Sequence, residues 1–233
     1  MRKIEDIAVV VLVGGYSTRL RKVIGKNRHK CMVKIGDKTF LEILVNRLRY
    51  QGLRKFIFST GHGGAEVAKE ARRICATRPK SKCTIVEDKE LIGTVNALIK
   101  LQHRLGELFF VVNGDTYSTV DLREMLANYP NEIFTMTDGS VAIEAESADI
   151  MGTFLFSKKI FGWSKLYRVN DIDYEFFCKL SFDKRWIELY HSEASFIDIG
   201  TPEGLKKLRH RMRMELLART IFREAIEAGK EGE

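Results

Sequence analysis

An α/β fold with a mixed, mainly parallel sheet is predicted by three features of this 233-residue sequence. Ile7 to Val13 is an apolar, β-branched run without polar alternation, as expected of a strand buried on both faces. From Phe40 to Val112 helical and extended patterns alternate, the order that βαβ units produce. From Thr201 to about Glu227 a single helical pattern closes the chain.

The elements follow from local chemistry. Gly14-Gly15 ends the first strand abruptly. Phe40 to Gln51 is predicted as a helix because Leu41, Leu44, Val45 and Leu48 recur at helical spacing and Gly52 supplies a stop. Lys55–Thr60 reads as a strand, Gly64–Cys75 as a helix, Cys83–Val86 as a short strand, Thr94–Leu105 as a helix and Leu108–Val112 as a strand closed by Asn113-Gly114-Asp115. Beyond Asp121 the rhythm changes. Ile133–Thr137, Val141–Glu144, Thr153–Phe156 and Trp186–Tyr190 are predicted strands, with one helix around Tyr174–Leu180 among them. In the last helix Leu205, Leu208, Met212, Leu216, Ile221 and Ala225 form one stripe. The length suits one large α/β body, residues 1–200, with a helical segment, residues 201–233, packed on it or on a second copy in a homodimer.

Composition excludes several classes. With 45% hydrophobic and 30% charged residues and only three prolines, disordered and low-complexity readings have no support. Ile7–Val13 is too short to span a bilayer, and Met1–Asp6 mixes both charge signs, unlike a signal peptide; a cytoplasmic protein without a membrane partner is expected. Cys31, Cys75, Cys83 and Cys178 form no C-x-x-C pair, so free thiols are expected rather than a zinc site or disulfide framework. The net charge of +8 is concentrated early, where residues 1–60 hold fourteen Lys/Arg against Glu5, Asp6, Asp37 and Glu42. A polyphosphate or nucleic acid would suit that excess, and so would a merely solvated basic face. The basic residues after Thr201, Lys206 to Arg213, have no aromatics between them for base stacking, so nucleic acid is not expected.

The segment Gly14-Gly15-Tyr16-Ser17-Thr18-Arg19-Leu20-Arg21, with Lys30 after a polar loop, carries the strongest chemistry. Glycines let backbone N–H groups approach phosphate oxygens, Arg19 offers a planar fork of donors and Lys30 a point charge. A tight turn with two solvated cations is the alternative. The spacing is neither G-x-G-x-x-G nor that of a P-loop. Asp115 follows a strand, where open α/β sheets place ligands, although turn formation or helix capping would also explain an Asp there. Asp198 alone would equally suit a loop carboxylate. None of the five histidines has an evident acid/base partner, and no Ser/His/Asp triad is visible.

G-G-x-x-T-R-L-R with a downstream Lys-x-Met resembles the signature of the sugar-phosphate nucleotidyltransferases. Phe40-Leu41-Glu42, Gly52, Gly61-His62, Leu91-Ile92-Gly93-Thr94, Val112-Asn113-Gly114-Asp115 and Phe196-Ile197-Asp198-Ile199-Gly200-Thr201-Pro202 continue the likeness in family order, and the last run is most similar to the heptose 1-phosphate guanylyltransferases. The resemblance implies a Rossmann-like nucleotidyltransferase domain that moves NMP from an NTP, GTP first, to a sugar 1-phosphate with release of pyrophosphate. It implies Arg19 and Lys30 as catalytic residues and Leu12, Gly14, Gly15, Ser17, Thr18, Gly93, Thr94, Asn113 and Gly114 around the nucleotide. It further implies Mg²⁺ as cofactor on Asp115 and Asp198, and Gly152 and Glu175 toward the acceptor. The chain departs from the pattern at His29, where the family has Pro, at Val95-Asn96 after the base loop, and between Thr137 and Gly152, where the family's Glu-Lys pair is missing. Lys165 and Arg168 are the candidates to replace that lysine. A cytidylyltransferase acting on an alcohol phosphate such as phosphocholine, or an inactive nucleotide-binding regulatory subunit, are the alternatives.

Overall fold

The computed structural model describes residues 3–25, 28–61, 63–77, 80–88, 90–128, 134–138, 150–163, 166–172, 176, 179, 188–191 and 194–230. In chain order the elements are β1 (Ala8–Val13), α1 (Arg21–Ile24), a small hairpin of β2 (Lys34–Ile35) and β3 (Lys38–Thr39), α2 (Phe40–Tyr50), β4 (Lys55–Thr60), α3 (Gly64–Ala76), β5 (Lys82–Glu87), α4 (Thr94–Leu101), β6 (Leu108–Asn113), β7 (Thr116–Ser118), α5 (Leu122–Ala127), β8 (Phe134–Asp138), β9 (Ile150–Ser157), β10 (Glu188–His191), β11 (Phe196–Asp198) and α6 (Pro202–Lys230). Among the described residues seven strands form the main sheet in the order β10-β8-β9-β6-β1-β4-β5. β6, β1, β4 and β5 run parallel, β10 is parallel to β8, and β9 is antiparallel to both its neighbours. The expected mixed, mainly parallel α/β sheet is therefore observed.

The sheet is covered on both faces, and β1 shows why its sequence lacks alternation. Val9, Val11 and Val13 point into one cluster with α2, α3, α5 and the start of α6, while Ala8 and Val10 join a second with α4, Phe154, Phe156 and Trp163. A strand with apolar layers on both sides has no solvated face to mark with polar residues. Burying each of these valines contributes about 1.5–3 kcal/mol. In the second layer Phe109 stacks on Phe156 with centroids 5.8 Å apart, and Trp163 meets Phe176 edge-on at 5.8 Å.

Differences from the sequence reading have local causes. α5 was not expected; Asp121 caps it by accepting the N–H groups of Arg123 and Glu124 at 2.8 and 3.2 Å, and only Leu122 and Met125 are buried, too few for a visible period. The stripe on α6 packs on the body through its first turns. Leu205 and Leu208 are buried and Met212 is partly so, while Leu216 is 67% exposed in the single chain; the side chains of Ile221 and Ala225 lie outside the described residues. The predicted strand Val141–Glu144 lies outside the described residues, as does nearly all of the helix predicted at Tyr174–Leu180, of which Phe176 and Lys179 are helical.

Candidate active site

Because β1, β4, β5 and β6 are parallel, their carboxyl ends point the same way, and there a cleft of about 310 Å³ opens between the Gly14-Gly15 turn and the amino end of α4. Ligands of open α/β sheets bind at such ends. Glycine shapes its floor. A Cβ on Gly61, after β4, would stand 2.6 Å from the Gly14 carbonyl oxygen, so the turns after the two strands touch through backbone that no larger residue would allow.

Of the residues expected around phosphate and nucleotide, Leu12, Gly14, Gly15, Lys30, Gly93, Thr94, Asn113 and Asp115 all line this cleft. The loop between Arg19 and Lys30 folds back because the Lys30 N–H donates to Ser17 Oγ at 2.7 Å. His29, where the family has Pro, is 1% exposed, and its Nδ1 accepts the Cys31 N–H at 3.2 Å to cap the 3₁₀ turn Lys30–Met32. That turn aims Lys30 at Asp115, with which it forms an ion pair; the two side chains are 18% and 16% exposed. Below them, burial and then the Asp115 charge push the Cys31 thiol far above its ordinary range, so it stays neutral and serves as packing.

Asp198 reaches the same place through β11, which pairs antiparallel with β7 so that Asp198 faces Thr116. The Ile199 N–H donates to the Asp115 carbonyl at 2.8 Å, and the Gly200 N–H to Asp198 Oδ1 at 2.6 Å. Arg19 Nη2 lies 3.7 Å from Asp198 Oδ2, an exposed and therefore weak pair. The convergence is visible at Gly200. A Cβ there would be 2.8 Å from Asp198 Oδ1, 3.4 Å from Asp115 Oδ2 and 3.4 Å from Arg19 Nη2. Sequence positions 19, 115, 198 and 200 thus meet at the edge of the cleft, although Arg19 and Asp198 are not part of its lining. Among the described residues no group of three or more His, Cys, Asp or Glu is placed to hold a metal ion.

The remaining expected residues stand further back. Gly114 donates its N–H to the Leu12 carbonyl at 2.9 Å and joins β6 to β1. Gly152 lies against Asn113, whose Nδ2 would be 2.6 Å from a Cβ at that position. Thr18 is exposed on the 3₁₀ turn Thr18–Leu20, and Arg168 is exposed on the 3₁₀ turn Leu166–Arg168; neither lines the cleft. Lys165 and Glu175 lie outside the described residues. Sequence reasoning missed Asp88, Glu90 and Asp171, all of which line the cleft. Asp88, directly after β5, had a usable signal, since a carboxylate at the carboxyl end of a parallel strand sits where ligands bind. Asp171 had none.

A parallel α/β core with its cleft at the strand ends, two carboxylates and two cations meeting there, defines a class of fold in which ligands approach backbone turns. The particular family follows from sequence comparison. Residues 9–164 match the MobA-like NTP transferase domain, and the chain belongs to that family, an enzyme class of nucleotidyltransferases. It is 28% identical over 215 residues to the D-glycero-alpha-D-manno-heptose 1-phosphate guanylyltransferase of Campylobacter jejuni, covering 83% of this chain and 95% of that protein. A protein of the same name from Aneurinibacillus thermoaerophilus is 28% identical over 224 residues, covering 85% and 95%. The crystal structure of HddC from Yersinia pseudotuberculosis complexed with GMP-PN superposes with a TM-score of 0.72 at 24% identity, covering 88% of this chain and 99% of that one, which establishes the shared fold.

Proposed function

We propose that this protein transfers GMP from GTP to a sugar 1-phosphate, a heptose 1-phosphate by preference, releasing pyrophosphate and forming a GDP-sugar. The observation that carries the reading is the meeting of Arg19, Lys30, Asp115 and Asp198 beside a cleft floored by Gly14 and Gly15. The guanylyltransferase names of the relatives from C. jejuni and A. thermoaerophilus support the choice of base and acceptor. Guanine presents N1–H and N2–H donors on one edge, and Glu90 on the cleft wall carries complementary acceptors beside Asp88, whose Oδ1 is engaged by Lys100.

In the reaction an oxygen of the acceptor phosphate attacks the α-phosphorus in line, and the bond to the β-phosphate breaks. Gly14 and Gly15 present N–H groups to the triphosphate. Lys30 steadies the α-phosphate, and Arg19 holds the departing pyrophosphate. No protein nucleophile is needed, so catalysis is positioning and electrostatics. Asp115 and Asp198 fit Mg²⁺, which is bound by one or two carboxylates with phosphate oxygens and waters completing its shell. When bound, the ion neutralises charge that spreads over the phosphate oxygens. Asp115 and Asp198 would hold the ion, and Lys30, which pairs with Asp115 here, would face the phosphate.

The test is pyrophosphate release measured with each NTP against sugar 1-phosphates and alcohol phosphates. GTP with a heptose or mannose 1-phosphate is expected to give the highest kcat/KM, dependent on Mg²⁺. A preference for CTP with an alcohol phosphate, or no release with any pair, overturns the reading.

A further inference from the structure

The amino end of α4 is completed by a segment far away in sequence. Thr94 N–H donates to Asp171 Oδ1 at 2.8 Å across 77 residues, and Thr94 Oγ1 donates to the same oxygen at 3.2 Å. The Ile172 N–H donates to Thr94 Oγ1 at 2.7 Å, and the Val95 N–H to the Asn170 carbonyl at 2.9 Å. The first N–H groups of a helix have no partner within it, and the residue before this helix, Gly93, has no side chain to cap them. Residues 170–172 do so instead. The fit is tight at the backbone, since a Cβ on Gly93 would collide with the Asn170 carbonyl. The segment is itself anchored, because Trp163, Leu166 and Val169 just before it are buried in the second core cluster. Asp171 and the Gly93-Thr94 loop also both line the cleft.

We propose that Asp171 is a positioning residue that fastens the Gly93-Thr94 loop to residues 170–172, the stretch that stands in sequence between the acceptor candidates Arg168 and Glu175, so that the two sides of the cleft order together and each substrate strengthens binding of the other. The inference rests on the guanylyltransferase reading for the identity of the two substrates. An exposed carboxylate whose Oδ1 is engaged in two hydrogen bonds to Thr94 acts here through loop geometry and transfers no proton.

Asp171→Ala separates this role from a general structural one. It should raise the KM for both GTP and the sugar 1-phosphate about three- to thirtyfold, with kcat nearly unchanged, which is the loss expected when a helix cap is removed from a binding loop. Asp171→Asn keeps an acceptor oxygen in place and should restore most of the loss. In the wild type, GTP affinity measured by calorimetry should rise at least about fivefold when a non-reacting sugar phosphonate is present, and Asp171→Ala should abolish that rise. Amide hydrogen exchange gives a readout without turnover, with Thr94 and Val95 exchanging faster in Asp171→Ala than in the wild type and slowing again in Asp171→Asn. Thr94→Val removes the hydroxyl links from the other side, and combining it with Asp171→Ala should add little beyond the larger single effect. A fall in kcat at unchanged KM, no rescue by Asn, or unchanged exchange overturns the proposal. Absence of turnover in the wild type would instead overturn the guanylyltransferase reading, and the exchange experiment would still decide the role of Asp171.

Discussion

The Gly14-Gly15 side of the cleft is built from consecutive backbone at the end of one strand, whereas the Gly93-Thr94 side is completed by residues 170–172, which reach α4 from 77 residues away. On the first side the requirement is steric and local. Two turns must touch where Gly61 meets Gly14, and Arg19 and Lys30 lie on the segment that directly follows the Gly14-Gly15 turn and holds α1. On the second side the loop has no cap of its own and depends on a segment anchored in the core by Trp163, Leu166 and Val169. A site made of local backbone announces itself in sequence; a site closed by a distant segment does not.

The largest expected effect lies at Asp115, which is tied to Lys30 on the first side and to the Asp198 turn through the Ile199 N–H. Asp115→Asn keeps the shape but removes the charge that balances Lys30 and the charge offered to a cation. Turnover is expected to fall by about a hundredfold or more, the scale seen when a transition-state charge loses one preorganised partner. The melting temperature should move little, by about 2–4 °C for each kcal/mol lost in a chain of this size. Full Mg²⁺-dependent activity in that variant would break the assignment of Asp115 and with it the idea that the first side and the Asp198 turn share one centre.

A smaller effect is expected from Gly93→Ala, which probes the seam on the second side alone. Gly93 has φ +81° and ψ 159°, a conformation nearly confined to glycine, and its neighbour is the Asn170 backbone rather than a flexible side chain. The strain is about 1–3 kcal/mol, and it falls on the loop rather than the core. The KM for the nucleotide should therefore rise about five- to a hundredfold with kcat changing less. If kcat falls alone, the loop serves the chemical step and the division into two sides is wrong.

The same division explains what the sequence disclosed. β4 was readable to the residue at Lys55–Thr60 and α2 from its first residue, because the apolar Phe56-Ile57-Phe58 run is bounded by Arg54-Lys55 and Gly61 and the Leu41, Leu44, Val45, Leu48 stripe carries its own period. Gly14, Gly15, Lys30 and Asp115 were legible because each stands at the end of such an element or in the loop after it. β7 and β11 were not, since three-residue strands have no period, yet their pairing is what brings Asp198 beside Asp115. Asp171 left no trace because its partner, Thr94, is set by tertiary packing. The α6 stripe is packed on the body as far as Met212, and Leu216 further along it is exposed in the single chain.

The smallest effect separates scaffold from site within the legible half. Glu70 on α3 accepts from Arg73 Nε at 2.7 Å, from Arg73 Nη2 at 2.9 Å and from Thr39 Oγ1 at 2.8 Å, while Arg73 also reaches Glu42 on α2. None of these residues lines the cleft. The Arg73 hydrogen bonds hold the Glu70 carboxyl below its ordinary range, with the Thr39 hydroxyl helping and burial opposing. A carboxyl depressed in the folded state contributes stability that is complete above its unfolded pKa of about 4.3 and is lost as pH falls through the lower folded value. The Arg73 side chain is 53% exposed, so solvent screening keeps the contribution below about 1 kcal/mol. Glu70→Gln should therefore melt a few degrees below the wild type at pH 7, about 2–4 °C at most, and the gap should narrow as the pH falls below 4. Turnover at pH 7 should not change, because the bridge joins α2 to α3 behind the Gly14-Gly15 side without touching it. A gap that stays constant down to pH 3 would mean that the carboxylate charge is not what links the helices; a fall in turnover would mean that this side of the cleft is held by its scaffold as closely as the other is held by Asp171.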